Sequence, residues 1–495
     1  MKFISTRGAG PVTGEEAVLK GIAEDGGLYV PSSFPQLTRE EMENMLWMDY
    51  SERATCILCK YFDEIPEAEM KSYTDRAYSR FTDSEPAPVI DIDGESYIME
   101  LFHGPTLAFK DVALTLLPYL MTAARKRFAH GEKTLILVAT SGDTGKAALE
   151  GFKNVEGTEI VVFYPSEGVS ELQKLQMQTT DGNNTHVVGI KGNFDDAQTG
   201  VKRIFTDPEC KAEFAKMGYA LSSANSINWG RLAPQIVYYI SAYLDLVGAE
   251  QIDMGEKVNF VVPTGNFGNI LAAYYAYKMG LPIGKLIVAS NSNDVLTEFF
   301  TDGKYDANRP FHKTMSPSMD ILVSSNLERL IFEMCGRNPE FVKNQMGELS
   351  RFGMYKIDFD QIADEFSLFE GYSATEEDTA SAIDNFFETH DYLLDPHTAV
   401  AVSAYYNYLT ETGDPAKTVI VSTASPYKFA HDVYKSLTGS DEPDPFMAVK
   451  RLNGYTGVPV PDEIASLKYK DLLHTDIIEK EDMLTEIFNV LKENG

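Results

Sequence analysis

Cysteine, histidine and positive charge are all scarce in this chain, and each scarcity removes a class of function. The 495 residues include 4 Cys, 2 Trp and 8 His, and 43 Lys and Arg stand against 74 Asp and Glu, a net charge of −31. Cys56, Cys59, Cys210 and Cys335 are too few and too scattered for a disulfide framework. Cys56-Ile57-Leu58-Cys59 has redox or zinc spacing, but no second pair follows. Its flanks, SERATCILCKYF, read as an amphipathic helix, so ordinary buried thiols are expected. The histidines lack ligand spacing and no HExxH occurs, so no metal is expected. His390 and His397 read as surface or packing residues. A field as negative as this one repels phosphate backbones, so nucleic acid is a poor partner and none is expected. An anionic small substrate would then need a local nest of donors. No apolar run reaches about 18 residues, so neither a membrane span nor a membrane partner is expected. The opening MKFISTRGAGPV has no apolar run of a secretory kind, and a cytoplasmic location is expected. GxGxxG after a strand and GxSxG are both missing. TSGDTGKAA is not a P-loop, because its glycine spacing is wrong and Ala147 follows Gly145-Lys146.

What is present is a long chain with an alternating rhythm. Hydrophobic residues make up 44% and charged residues 24%, ordinary for a globular protein with ample core. Thr13-Gly14-Glu15-Glu16 matches a capping box and predicts a helix through Ala17 to Ala23, stopped by Gly26-Gly27. Leu28 to Pro31 leaves it as an extended piece. Glu376-Glu377-Asp378 reads as a solvated helix face. Residues 1–95 form a first unit. Near-continuous apolar runs then recur at Thr134–Ala139, Glu159–Tyr164, Val258–Val262, Lys285–Ala289 and Thr418–Val421, separated by helical patterns. Such runs mark strands of parallel sheets covered on both faces, so the fold class is α/β. The expected division is an N-terminal unit at 1–95, a larger lobe at 96–130 and 220–495 with a helical insertion at 300–395, and a small mobile lobe at 131–219.

Five segments gather polar chemistry. VVPTGNFGNIL, at Val261 to Leu271, runs a strand through two glycines into a helix, which makes an anion nest of backbone N–H groups. A plain strand-to-helix turn is the alternative. Glu100 to Asp111 reads ELFHGPTLAFKD. Lys110 there follows an apolar stretch, and burial would turn its amine into a nucleophile and Schiff-base former. The alternative is a lysine paired with Asp111 or snorkelling to solvent. ATSGDTG, at Ala139 to Gly145, offers hydroxyls and amides at a helix start, suited to a carboxylate. SSANSINWGR, at Ser222 to Arg231, gathers neutral donors and one arginine, suited to a dianionic phosphate. STASPYKF, at Ser422 to Phe429, lies just beyond a strand end, where ligands of open α/β sheets collect.

Taken together and in order, these segments resemble the threonine synthase family of fold-type-II, tryptophan-synthase-β-like pyridoxal-phosphate enzymes. STRG at Ser5 to Gly8, DGGLYVP at Asp25 to Pro31 and SELQKLQMQT at Ser170 to Thr179 extend the resemblance over nearly the whole chain. It implies two parallel-sheet lobes plus an N-terminal domain. It implies pyridoxal 5'-phosphate as cofactor, O-phospho-L-homoserine as substrate, and a β,γ-replacement that yields L-threonine and phosphate, by a monomer or homodimer. By similarity, Lys110 is the catalytic residue and holds the cofactor as a Schiff base. Gly265, Asn266, Phe267, Gly268 and Asn269 would cradle the cofactor phosphate, and Thr423 would meet the pyridine nitrogen. Ser141, Gly142, Asp143 and Thr144 would grip the substrate carboxylate through N–H and hydroxyl groups. Asp143, an odd neighbour for a carboxylate, is expected to be turned aside or used in its own turn. Asn225, Ser226 and Arg231 would grip the substrate phosphate, with Lys428 assisting. The chain departs from the commoner family pattern TAHPAKF, with Ser425 where His is usual and Tyr427 where Ala is usual. Two other readings stay open: a dehydratase or cysteine synthase of the same fold, and a non-enzymatic relative that kept it. The STRG and DGGLYVP unit and the Asn225-Ser226-Arg231 cluster argue against the first, and Lys110 with Thr423 against the second.

Overall fold

The computed structural model describes residues 1–128, 131–140, 142–167, 169–359, 362 and 364–493, the side chains of 195 and 493 excepted. Two sheets organise the chain. The larger has the order Phe369–Ser373, Ile283–Ser290, Val258–Pro263, Thr418–Ser422, Ser96–Glu100, Val89–Asp91, parallel except for the last pair. The smaller has the order Ile477–Glu479, Thr185–Lys191, Thr158–Pro165, Lys133–Ala139, Tyr219–Ser222, parallel throughout.

The apolar runs predicted as strands are strands because both faces of each sheet are covered. Alternate residues point to opposite faces. In the larger sheet Phe260, Val262, Leu286 and Val288 face one core, whereas Val261, Ile287, Ala289 and Ile420 face another. In the smaller sheet Ile136, Val138, Ile160 and Val162 join the first of those cores, and Leu135, Leu137, Val161 and Phe163 face a third. The first core thus lies between the two sheets and continues into the N-terminal unit through Phe3, Val18 and Tyr61.

That N-terminal unit is a three-stranded antiparallel sheet, Val12–Thr13, Lys2–Ser5, Tyr29–Pro31, with helices from Arg39 to Tyr78. Thr13 and Glu16 form the expected capping box, but the helix is Gly14–Lys20, ending at Gly21 (φ 71°) rather than running to Ala23. Cys56 and Cys59 lie in the helix Tyr50–Cys59 as free, half-buried thiols, and burial pushes Cys59 up to about 11.

The STRG and DGGLYVP segments turn out to be scaffolding. Thr6 and Arg7 both hold Glu328, at 2.6 Å and at 2.9 and 2.7 Å. Asp25 accepts from the Ser5 hydroxyl at 2.7 Å. Arg329, fully buried, ties three segments together, donating to the carbonyls of Tyr29 (2.9 Å) and Ile227 (2.7 Å) and to Asn326 Oδ1 (2.5 Å). Asn326 in turn donates through its side chain to the Asn266 carbonyl at 2.9 Å. The first unit therefore braces two of the five polar segments.

The expected division of the chain needs three changes. Val89–Asp91 belongs to the larger sheet, so that sheet begins before residue 96. Within 300–395, Phe369–Ser373 pairs in parallel with Ile283–Ser290 and forms an edge of the same sheet, so this stretch is not helical throughout. The chain end leaves the larger lobe: Ile477–Glu479 pairs with Thr185–Lys191, and Met483 and Ile487 of the last helix pack on the smaller sheet's outer core. Three residues are too short a signal to read as a strand. Glu376-Glu377-Asp378 forms the first turn of the helix Glu376–His390, where acids suit the helix dipole. Glu377 and Asp378 are exposed, whereas Glu376 accepts from Met315 N at 3.0 Å. Among the described residues, no helix is long and apolar enough to cross a membrane.

Candidate functional site

Every polar segment singled out in the sequence follows the carboxyl end of a strand: Ser96–Glu100, Lys133–Ala139, Tyr219–Ser222, Val258–Pro263 and Thr418–Ser422. This is where open α/β sheets collect ligands. Lys110 begins the short helix Lys110–Leu114 and is only 9% exposed. The turn before it is locked to the turn after Thr418–Ser422. Phe109 N donates to the Thr423 carbonyl at 2.8 Å, and Ser425 N to the Leu107 carbonyl at 3.1 Å. Thr423 is thereby fixed beside Lys110. Leu107 takes a left-handed φ of 61° to make the turn.

Lys110 Nζ lies 3.3 Å from Asp143 Oδ2, 3.4 Å from Ser318 Oγ and 4.8 Å from the Phe109 ring centre. Burial is the largest influence on this amine and lowers it from the ordinary lysine value; Lys428 and Arg231 push the same way, and Asp143 opposes them. The exposed-lysine alternative is therefore removed. Asp111 turns away to bind Thr106, accepting from its N–H at 2.8 Å and its hydroxyl at 2.6 Å.

Asp143 is neither turned aside nor spent on its own turn, contrary to expectation. It sits at the start of the helix Asp143–Phe152, 3% exposed, at the centre of the cluster. Its Oδ1 is 2.8 Å from Lys428 Nζ and 2.9 Å from Gln173 Nε2, and its Oδ2 accepts from Ser318 Oγ at 2.9 Å. Burial alone would push this carboxyl up. Lys428 and Lys110 outweigh burial and hold it well below the usual carboxylate range. The reason is local charge: two buried lysines need an anion, and Asp143 is the one they contact. Lys428, fully buried in its side chain, divides its donors between Asp143 and the Thr106 carbonyl at 2.7 Å. It therefore joins the Lys110 cluster. Gly142 (φ 134°) packs against Gln173, where a Cβ would stand 2.6 Å from Cδ. Thr144 is half-buried in the first turn of the same helix, and Ser141 lies outside the described residues.

The glycine loop meets this cluster from the other side. A Cβ on Gly265 would stand 2.8 Å from the Ser318 carbonyl oxygen, so the two loops are in contact. Phe267 (φ 62°) caps the helix Gly268–Lys278. Asn266 is held by Ser325 (3.2 Å) and Asn326 (2.9 Å), and Asn269 Oδ1 by the hydroxyls of Tyr238 (2.5 Å) and Tyr239 (2.7 Å). The Asn225-Ser226 segment lies against the loop, with Ser226 Cβ 3.9 Å from the Cβ position of Gly268. Arg231, 2% exposed, lies in the first turn of the helix Trp229–Gly248, donates to the Ala224 carbonyl at 2.6 Å, and is lowered to about 10 by burial.

Four buried polar atoms here have no protein partner: Asn269 Nδ2, Arg231 Nε, Asn225 Oδ1 and Ser222 Oγ. Orphaned buried N–H groups cost free energy and are rare unless a ligand satisfies them. Three of the four can donate, Asn269 Nδ2 at the glycine loop, Arg231 Nε and the Ser222 hydroxyl, so the residues present fit a phosphorylated ligand. The cluster of cations and donors is also the local nest that a chain of net charge −31 requires for an anion.

Sequence reasoning missed Ser318, Gln173 and His397. Ser318 lies in the single 3-10 turn Pro317–Met319, in a stretch without a recognisable motif. Gln173 sits within SELQKLQMQT but carries no signal of its direction. His397, read as surface or packing, is 2% exposed with both ring nitrogens engaged, Nε2 accepting from Ser318 N at 3.2 Å and Nδ1 2.8 Å from Asp395 Oδ1. His390 packs on Phe386, ring centres 4.5 Å apart, as expected. Ser425, where the family usually has His, caps Tyr427 N at 3.4 Å, and the Tyr427 hydroxyl reaches the Val458 carbonyl.

Comparison with known proteins gives the same picture. A family model described as "Pyridoxal-phosphate dependent enzyme" matches residues 84–424, "Threonine synthase N terminus" matches 2–78, and "Threonine synthase, C-terminal" matches 398–470. A threonine synthase of Pseudomonas aeruginosa is 41% identical over 441 residues, 89% of this chain and 91% of that protein. The crystal structure of PLP-bound threonine synthase from Brucella melitensis superposes with a TM-score of 0.87 at 36% identity, covering 100% of this chain and 99% of that one. Threonine synthase from yeast superposes with a TM-score of 0.88 at 33% identity, covering 100% and 98%. The chain belongs to the threonine synthase family of pyridoxal-phosphate-dependent enzymes.

Proposed function

We propose that the chain converts O-phospho-L-homoserine and water into L-threonine and phosphate, with pyridoxal 5'-phosphate held at Lys110. The observation that carries this is a convergence. The buried Lys110 amine lies one hydrogen bond from Ser318 and is locked by backbone to Thr423, while the same Ser318 residue touches the glycine loop at Gly265. A Schiff-base lysine, a phosphate nest and a hydroxyl for a ring nitrogen then share one cleft.

The bound cofactor supplies an electron sink for charge formed beside the substrate amine. The chain supplies the rest. Lys110, lowered by burial, is a base able to take a proton from the substrate and return it elsewhere. Backbone N–H groups of Gly265 to Asn269, with the unpartnered Asn269 amide, would hold the cofactor phosphate. Asn225, Ser226 and Arg231 hold the substrate phosphate before and after it leaves, while Gly142 and Thr144 take the α-carboxylate through donors. Lys428 neutralises Asp143 and adds positive charge nearby. The smaller lobe, carrying Asp143, closes onto the larger lobe's Lys110, Ser318 and Lys428 and excludes stray water, so the last proton and hydroxyl additions precede release.

Incubating the holoenzyme with O-phosphohomoserine should release phosphate and threonine in equal amounts. Ketobutyrate without threonine would favour a dehydratase instead. Arg231→Ala should raise KM by about 10- to 100-fold with a smaller change in kcat, since it removes charge-assisted hydrogen bonds to a group held throughout. An unchanged KM removes Arg231 from the site. Gly265→Ala forces a methyl against the Ser318 carbonyl and should weaken cofactor affinity at least about tenfold, read by titrating stripped enzyme with pyridoxal phosphate. Unaltered affinity would place the phosphate elsewhere.

A further inference from the structure

The loop carrying Ser318 is fixed more thoroughly than a connecting segment needs. Asp320 accepts from Thr314 N (2.9 Å), Thr314 Oγ1 (2.7 Å) and Asn291 Nδ2 (2.9 Å). Ser318 itself is held at its backbone N–H by His397 Nε2. A backbone N–H can only donate, so Nε2 is the acceptor and the ring proton sits on Nδ1, facing Asp395. Asp395 also accepts from the Thr398 hydroxyl, which lies 3.0 Å from Ser422 Oγ, next to Thr423. The ring packs edge-on against Phe429, centres 4.9 Å apart. Asp395 is also the N-cap of the helix Pro396–Thr412, accepting from His397 N at 2.9 Å, so the ring is fixed to a rigid helix start with Nε2 aimed at the Ser318 N–H.

We propose that His397 is a positioning residue of the reaction: with Asp395 behind it, His397 fixes the Ser318 backbone and so holds the Ser318 hydroxyl between the Lys110 amine and the Asp143 carboxylate. This deepens the threonine synthase reading and rests on it. Ser318 Oγ touches the reacting nitrogen at 3.4 Å and donates to Asp143 at 2.9 Å, which makes Ser318 a catalytic residue. The consequence is directional. An amine nitrogen has four tetrahedral directions. One goes to its own carbon, and Asp143 and Ser318 claim two more. The fourth is then aimed, and aim is worth orders of magnitude in rate. The charged groups around Lys110 are Asp143, Lys428 and Arg231; those around His397 are Asp395, Asp143 and Asp320.

The test compares holoenzymes of Ser318→Ala, His397→Ala, His397→Gln and the double variant Ser318→Ala/His397→Ala. Glutamine places an amide oxygen near the position of Nε2 and can still accept from Ser318 N–H. His397→Ala and Ser318→Ala should each lose about 100-fold in kcat with KM within about threefold. His397→Gln should recover to within about tenfold of the parent. The double variant should be no worse than the worse single, because one residue acts through the other. The pH midpoint of the bound cofactor's absorbance should fall by about one unit in both alanine variants, since an acceptor to the Lys110 nitrogen is lost or displaced, and should return in His397→Gln. The absorbance reading needs no substrate, so it decides the inference even if the parent enzyme makes no threonine, a result that would count against the functional reading instead. Should His397→Ala fail to fold, Ser318→Ala and His397→Gln decide. Parental kcat and absorbance in Ser318→Ala, no recovery in His397→Gln, or losses that multiply in the double variant would each overturn the proposal.

Discussion

Lys110→Ala should abolish threonine formation, by at least about 10⁴-fold, while the protein stays folded. The size of the loss follows from two roles meeting at one nitrogen. In the function proposed above, Lys110 would hold the cofactor and, once free, serve as the base that moves protons. The fold survives because Lys110 is not a keystone of packing. Its neighbour Asp143 keeps Lys428, Gln173 and Ser318 as partners, so no buried charge is left alone. Circular dichroism should match the parent, and the variant should bind pyridoxal phosphate without a borohydride-reducible link to position 110. Turnover within about tenfold of the parent would refute the assignment.

The second large effect belongs to Asp143→Asn. The substitution keeps the shape and removes the charge. Lys428 and Lys110 then face each other as buried cations with no anion between them, and breaking a buried pair in this way costs about 3 kcal/mol. For a chain of 495 residues that corresponds to a fall in thermal midpoint of about 3 °C. Turnover should drop at least about 100-fold, since both lysines lose their common anchor. The pH dependence has a definite sign. Asp143 is depressed in the folded state below its ordinary value of 3.8, so its contribution is fully present above about pH 4 and disappears as pH falls through the folded value. The gap between parent and variant, measured on stripped protein in which Lys110 is a free amine, should stay constant from neutral pH to about pH 4 and narrow only below that. A variant as stable and as active as the parent would mean that Asp143 is the bystander its sequence context suggests.

That context shows where sequence reasoning ends. TLILVA, EIVVFY, VNFVV, KLIVA and TVIV were legible as strands because burial on both faces leaves a one-dimensional signature. The glycine loop and the Lys110 turn were legible because backbone conformation and chemistry coincide there. Ser96–Glu100 is as deeply set, yet SYIME mixes a serine and a glutamate into the run and gives no comparable signal. Asp143 could not be placed, because its role depends on Lys428 and Ser318, brought together only by the docking of two lobes. A carboxylate near a carboxylate-binding loop looks wrong until its counter-cations are in view. Ser318 and His397 fail for the same reason in stronger form: SPSMD and PHT are ordinary loop and helix-start sequences, and only their meeting gives them work. STRG and DGGLYVP were legible as family marks. Their physical function, bracing Glu328 and Arg329 and through Asn326 the glycine loop, needed coordinates.

The most direct test of the central claim is to reduce the holoenzyme with borohydride, digest it and locate the pyridoxyl group by mass spectrometry. The account predicts a single modified peptide spanning FHGPTLAFKD, with the label on Lys110. A label on Lys428, on Lys146 or on any other lysine, or no label on a protein that nonetheless makes threonine, would contradict it.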